Sequence, residues 1–67
     1  MTVDGNKLLK LIKAKHRSVR QFAVIAGVHR NSLSEIINGQ QPNPKLDTIN
    51  RIAKALGCDP LDFMMGG

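Results

Sequence analysis

An all-α fold of five short helices is the architecture that three features of this 67-residue chain predict. Apolar residues recur at helical spacing in separate short runs: Leu8, Leu11 and Ile12; Phe22, Ala23 and Ala26; Leu33, Ile36 and Ile37; Ile49, Ile52, Ala53 and Leu56. A glycine closes run after run, at Gly27, Asn38-Gly39 and Gly57, where a helix can exit through left-handed backbone. Ala23, Gly27 and Leu33 also stand at the spacing that lets two short helices cross closely over a sharp turn.

Each element follows from local chemistry. The first helix is expected from about Asp4 or Gly5 to Lys15, with Leu8, Leu11 and Ile12 inward and Lys7, Lys10 and Lys13 solvated. Ser18 starts the second, its hydroxyl capping while Gln21 reaches back as the other half of a capping box. That helix ends at Gly27. The third starts between His29 and Asn31 and stops at Asn38-Gly39; Ser32 and Glu35 form an alternative capping box, and a start there would make Glu35 structural. The two prolines between Gln40 and Pro44 break the chain, and Pro44 or Lys45 opens a fourth helix that closes at Gly57. Asp59-Pro60 then begins a short fifth helix, with a capping carboxylate and a proline where no amide is needed. Only Met1 to Thr2 and Gly66-Gly67 read as frayed ends.

The segment from about 19 to 38 is a helix-turn-helix. Helices crossing at roughly 90–120° nearly touch, which the small Ala23 permits, and Gly27 supplies positive φ without a Cβ clash. Leu33 fills the angle between the helices with Phe22, Ala26, Val28 and Ile36. Burying Leu33, Ile36 and Ile37 turns Arg30, Asn31, Ser34 and Glu35 to the other side, with Arg30 and Asn31 in the opening turn that enters a DNA major groove. Arg30 can donate two hydrogen bonds to guanine O6 and N7, Asn31 can pair with adenine N6 and N7, and Glu35 can accept from cytosine N4. These four are the base-reading candidates. Their bland alternative is ordinary exposed polar surface.

Beyond the motif, residues Ser18 to Met64 resemble the helix-turn-helix family of phage Cro and C1 repressors, the XRE family. The likeness rests on the Ala23, Gly27, Leu33 motif, on Asn38-Gly39, on Pro44, and on the Ile49, Ile52, Ala53, Leu56, Gly57 series. With Leu8, Leu11 and Ile12 as its first helix, it covers nearly the whole chain. The resemblance implies a compact lambda-repressor-like domain over residues 1–67, acting as a transcriptional regulator, with repression the expected sign. It implies double-stranded DNA as partner and a homodimer, at least on DNA, bound to a palindromic operator. It also implies a cytoplasmic, nucleoid-associated location of bacterial or phage type. Backbone phosphate contacts map by resemblance onto Arg20, Asn38, Gln40 and Lys45, with Arg17 and Asn43 as further candidates. Val19 stands where the family usually has Gln, and Ile37 where Glu is frequent. Val24 and Ile25 fall where polar residues are usual; they are extra core or a protein contact, with core expected for one of them.

Composition sets independent bounds. Ten Lys plus Arg against five Asp plus Glu give a formal charge of +5, and the isoelectric point near 10.0 suits a nucleic-acid-binding module. A lone cysteine, Cys58, cannot form an internal disulfide and is expected as a buried structural thiol in a reducing compartment. The longest apolar stretch, Phe22 to Val28, is far below the roughly 20 residues that span a bilayer. No phosphate-cradling glycine loop, metal-spaced Cys/His set or nucleophile–base pair is visible, so no catalysis, metal, cofactor or small-molecule ligand is expected. His29 is a phosphate contact or simply the start of the third helix.

Two other readings compete: an antitoxin-like or adaptor module holding a protein through Val24, Ile25 or the Leu61, Phe63, Met64, Met65 cluster, and a membrane-surface peptide. The second would strip Leu8, Leu11 and Ile12 from an already small core. If the chain dimerises on DNA, Phe63 is expected in the core and Leu61, Met64 or Met65 against a two-fold partner.

Overall fold

Asp4 starts the first helix by turning its carboxylate onto the amides of Asn6 and Lys7, at 3.1 and 3.3 Å. The computed structural model describes residues 2–16 and 18–65. In it the helices are α1 (Gly5–Lys15), α2 (Val19–Ala26), α3 (Arg30–Ile37) and α4 (Leu46–Leu56), followed by a 3₁₀ turn at Pro60–Asp62. Ser18 Oγ accepts the Gln21 amide at 3.1 Å, so the serine half of the expected capping box is formed. The α2–α3 turn is a left-handed glycine exit: Gly27 has φ +71°, and the Val28 amide returns to the Ala23 carbonyl at 3.0 Å.

A single apolar cluster joins the four helices. Leu8 and Ile12 of α1, Phe22, Ala23 and Ala26 of α2, Leu33 and Ile36 of α3, and Ile49, Ile52, Ala53 and Leu56 of α4 are buried with Val3, Phe63 and Met64. Leu11, Val28, Ile37 and Cys58 are half-buried at its margin. No polar or charged residue is buried among the described residues. The His16 ring packs on Phe22, with centroids 5.1 Å apart, and Lys15 donates its Nζ proton to the Leu56 carbonyl at the end of α4.

Four expectations need correction. There are four helices and not five, because the backbone after Pro60 finds partners elsewhere: Phe63 accepts the Asp4 amide at 2.8 Å, and the Met65 amide donates to Thr2 at 2.7 Å. Asp59 and Asp62 instead stabilise one 3₁₀ turn, the Asp59 amide donating to Asp62 Oδ2 at 3.2 Å. Thr2 is therefore tied and not frayed. Met64 is buried, since an isolated antiparallel bridge sets it opposite buried Val3; only Leu61 and Met65 of the proposed partner-facing set are exposed. Neither Val24 nor Ile25 is core, at 80% and 59% exposed, because the buried stripe of α2 is already taken by Phe22, Ala23 and Ala26.

The start of α1 lies against the end of α3. A Cβ at Gly5 would stand 2.1 Å from the Ile37 carbonyl oxygen, which is backbone and cannot swing aside. Glycine inside a helix ordinarily costs about 0.8–1.0 kcal/mol relative to alanine, so Gly5→Ala would stabilise a free helix. Here the sign reverses: a net loss of about 1–3 kcal/mol is expected, since α1 and α3 must separate. Gly27→Val should cost a similar amount for a different reason, a β-branched residue at positive φ. Thermal unfolding measures both, and unchanged melting temperatures would remove these two constraints.

Candidate nucleic-acid interface

Helix α3 begins at Arg30, directly after His29, and so two residues ahead of the alternative start at Ser32. That start leaves the Ser32–Glu35 capping box unused and Glu35 on the surface. Leu33 and Ile36 anchor the inner face, while Arg30, Asn31, Ser34 and Glu35 are all exposed. Helical spacing i, i+1, i+4, i+5 collects these four on one strip, with Arg30 and Asn31 in the first turn. Asn38 Nδ2 donates to Ser34 Oγ at 3.4 Å, which links the strip to the helix end and leaves the serine proton free to donate. The exit itself is tight: the amides of Gln40 and Gln41 both reach the Glu35 carbonyl, at 2.9 and 3.1 Å, around Gly39 at φ +81°.

Flanking donors lie on both sides of α3. Arg20 on α2 lines an open groove with Ala23, Val24, Gly27, Val28, His29 and Arg30, so one phosphate candidate and one base-reading candidate share a concavity. Lys45, directly before α4, lines a separate depression with Ser32, Ile36, Gln41, Pro44 and Thr48. Asn38, Gln40 and Asn43 are exposed in the connection between them, Asn43 Oδ1 accepting from Thr2 Oγ1 at 3.4 Å. Arg17 lies outside the described residues.

Sequence reasoning missed Arg51. On α4, its Nη1 donates to the Gly27 carbonyl at 3.1 Å while its Nε meets Asp47 Oδ2 at 3.0 Å. The i, i+4 spacing of Asp47 and Arg51 signals the ion pair. Nothing local signals the turn carbonyl 24 residues away.

Among the described residues no group of three or more His, Cys, Asp or Glu is placed to hold a metal, and no helix is long and apolar enough to cross a membrane. Cys58 is half-buried beside the 3₁₀ turn. Burial, with the Asp62 and Asp59 carboxylates, pushes its thiol up against the opposing pull of Lys15.

A helix-turn-helix family model matches residues 8–63. An uncharacterised HTH-type transcriptional regulator of Bacillus subtilis (strain 168), RghRB, is 36% identical over 56 residues, which are 84% of this chain and 40% of that protein. The chain thus spans 40% of the length of the curated relative it matches. Among solved structures, the restriction-modification controller protein C.AhdI from Aeromonas hydrophila is similar with a TM-score of 0.77 at 31% identity, covering 87% of this chain and 86% of that one.

The raised Cys58 thiol gives a signed expectation. Its contribution to stability is fully present below the range where the unfolded thiol ionises, and is lost as pH rises through the higher folded value. Stability should therefore fall on the alkaline side of that range, and fall less in Cys58→Ala. Alkylation by iodoacetamide at pH 8 should be slower in the folded protein than in urea; equal rates would contradict the placement of the thiol.

Proposed function

Since the chain belongs to the Cro/C1-type helix-turn-helix family, we propose that it is the DNA-binding domain of a transcriptional regulator, laying α3 in the major groove of double-stranded DNA. The observation that carries this is the single strip of exposed Arg30, Asn31, Ser34 and Glu35 on a helix whose other face is locked into the core. Arg30 and Asn31 enter first, the guanidinium addressing guanine O6 and N7 and the amide addressing adenine N6 and N7. Ser34 donates or accepts one turn deeper. Glu35 accepts from a cytosine amine and repels other bases' acceptors and misplaced phosphates, so its contribution is discrimination more than affinity.

Arg20 on one side, and Lys45 with Asn38 and Gln40 on the other, hold the two flanking strands of phosphates; Asn43 and Arg17 are further candidates. Such contacts fix register and carry no sequence information. The +5 charge supplies the non-specific attraction on which they build. The family is one of DNA-binding regulators, and the role asks for no metal, cofactor or bond-making chemistry. We assign the protein a cytoplasmic location, with the nucleoid.

One α3 spans only a few base pairs, and pairing two of them about 34–36 Å apart matches a palindromic site. We assign the operator complex to a homodimer that represses, with exposed Leu61 and Met65 as the apolar residues available near the C-terminal end. The exposed Val24 and Ile25 favour a second reading, a protein-holding adaptor or antitoxin-like module. Salt separates the two: DNA binding weakens steeply as salt rises, an apolar contact does not.

After binding-site selection on random duplexes, Arg30→Ala or Asn31→Ala should cost about 1–3 kcal/mol on the selected site and relax preference at one base pair. Lys45→Ala should weaken binding to all sequences alike and reduce the salt slope by about one. Equal losses on selected and random DNA for Arg30→Ala would remove it from the reading strip. Sedimentation with a full palindromic duplex should give two chains per duplex; a strict 1:1 complex, with half-site affinity equal to full-site affinity, would exclude the dimer.

A further inference from the structure

The α2–α3 turn is held from outside the motif. Its Gly27 carbonyl, at the left-handed exit of α2, is the acceptor for Arg51 Nη1 at 3.1 Å, and the same guanidinium is gripped through Nε by Asp47 at 3.0 Å. The Gly27 carbonyl belongs to the peptide plane leading into Val28. Rotation of that plane redirects the chain just ahead of Arg30 and Asn31. A carbonyl pinned from α4 therefore fixes the direction in which α3 leaves the turn, relative to a helix that is itself anchored by Ile49, Ile52, Ala53 and Leu56.

Only an arginine can do this. Nε and Nη1 sit on one rigid plane, so holding Nε against Asp47 aims Nη1 at the turn; a lysine has a single nitrogen on a flexible stem and cannot span both partners with that geometry. The pair is also open to solvent, with Arg51 and Asp47 side chains 55% and 76% exposed. An ion pair so exposed contributes little to global stability. Its effect is local, on the orientation of the element it touches.

We propose that Arg51, set by Asp47, is a positioning residue for base reading: it braces the Gly27 carbonyl and so fixes the approach of α3 to the base edges without touching DNA. This rests on the DNA-binding reading above and extends it to α4.

The test compares Arg51→Lys, which keeps the charge and loses the fork, with Asp47→Asn, which keeps the arginine and loses its guide. In Arg51→Lys the melting temperature should stay within about 4 °C of wild type. Amide exchange at Val28 should accelerate about tenfold while that of Ile52 is unchanged. The ratio of selected-site to random-duplex affinity should fall about tenfold, with the salt slope unchanged because no phosphate contact is lost. Asp47→Asn removes a negative charge, so binding to random duplex should tighten while the selectivity ratio falls.

Unchanged Val28 exchange overturns the brace. An unchanged selectivity ratio in both variants overturns its role in reading. A loss shared equally by selected and random duplexes, with a salt slope smaller by about one in Arg51→Gln, overturns it in favour of a direct phosphate contact. A wild-type protein that selects no duplex overturns the DNA-binding reading and this role with it; failure of the brace alone shows only in the variants.

Discussion

The crossing of α2 and α3 is the constraint from which the rest of this small molecule follows. Two eight-residue helices can bury only a narrow stripe each, and they do so here by meeting almost immediately after the turn. That requires a small residue, Ala23, where the two approach, and a residue that accepts positive φ at Gly27, so that the Val28 amide can return to the Ala23 carbonyl at 3.0 Å. Once the angle is set, Leu33 and Ile36 must face inward. The polar strip beginning at Arg30 must then face out. Fold and candidate interface are thus two consequences of one geometric condition.

A domain of this size has little core to spare, and closure at the ends compensates. Val3 and Met64 pair across an isolated bridge, and the amides of Val3, Asp4 and Met65 are all satisfied by distant carbonyls of Pro42, Phe63 and Thr2. These contacts convert the two chain ends and the loop after α3 into one edge of the cluster. The same edge brings Gly5 against Ile37, so α1 meets the end of α3 while Arg51 of α4 meets the turn before it. Both ends of the motif's second helix are thus approached by elements that lie outside the motif.

Much of this was legible in the sequence because it is written in short-range periodicity. Leu8 and Ile12, Phe22 and Ala26, Leu33 and Ile36, and the Ile49 to Leu56 series each announce a buried stripe at i, i+3 or i, i+4. Gly27, Asn38-Gly39 and Gly57 announce the exits. What escaped was long-range. An Asp-Pro start looks like a helix, and only pairing with the N-terminal segment shows that the Phe63 carbonyl and the Met65 amide are taken by Asp4 and Thr2. Val24 and Ile25 look like core by residue type, yet the stripe they would need is occupied by their own neighbours in α2. In the candidate site, the strip on α3 could be read from helical phase alone, whereas Arg51 could not be joined to Gly27 without the tertiary crossing of α4 over the turn.

The separation of roles by depth has a mechanistic consequence. Among the described residues burial is wholly apolar, and every described hydrogen-bonding side chain proposed to meet DNA is exposed. Substitution on the outer strip of α3 therefore comes at little cost to folding, since no buried partner is left unsatisfied, and the proposed base-reading side chains are free to vary. Orientation is a different matter. The contacts that bear on it are the partly exposed Arg51 hydrogen bond to the Gly27 carbonyl, proposed above as a brace, and a backbone approach at Gly5 where a Cβ does not fit. On the proposed reading, affinity for DNA in general falls to distributed charge, whereas discrimination among sequences falls jointly to the outer side chains of a two-turn helix and to how rigidly that helix is aimed.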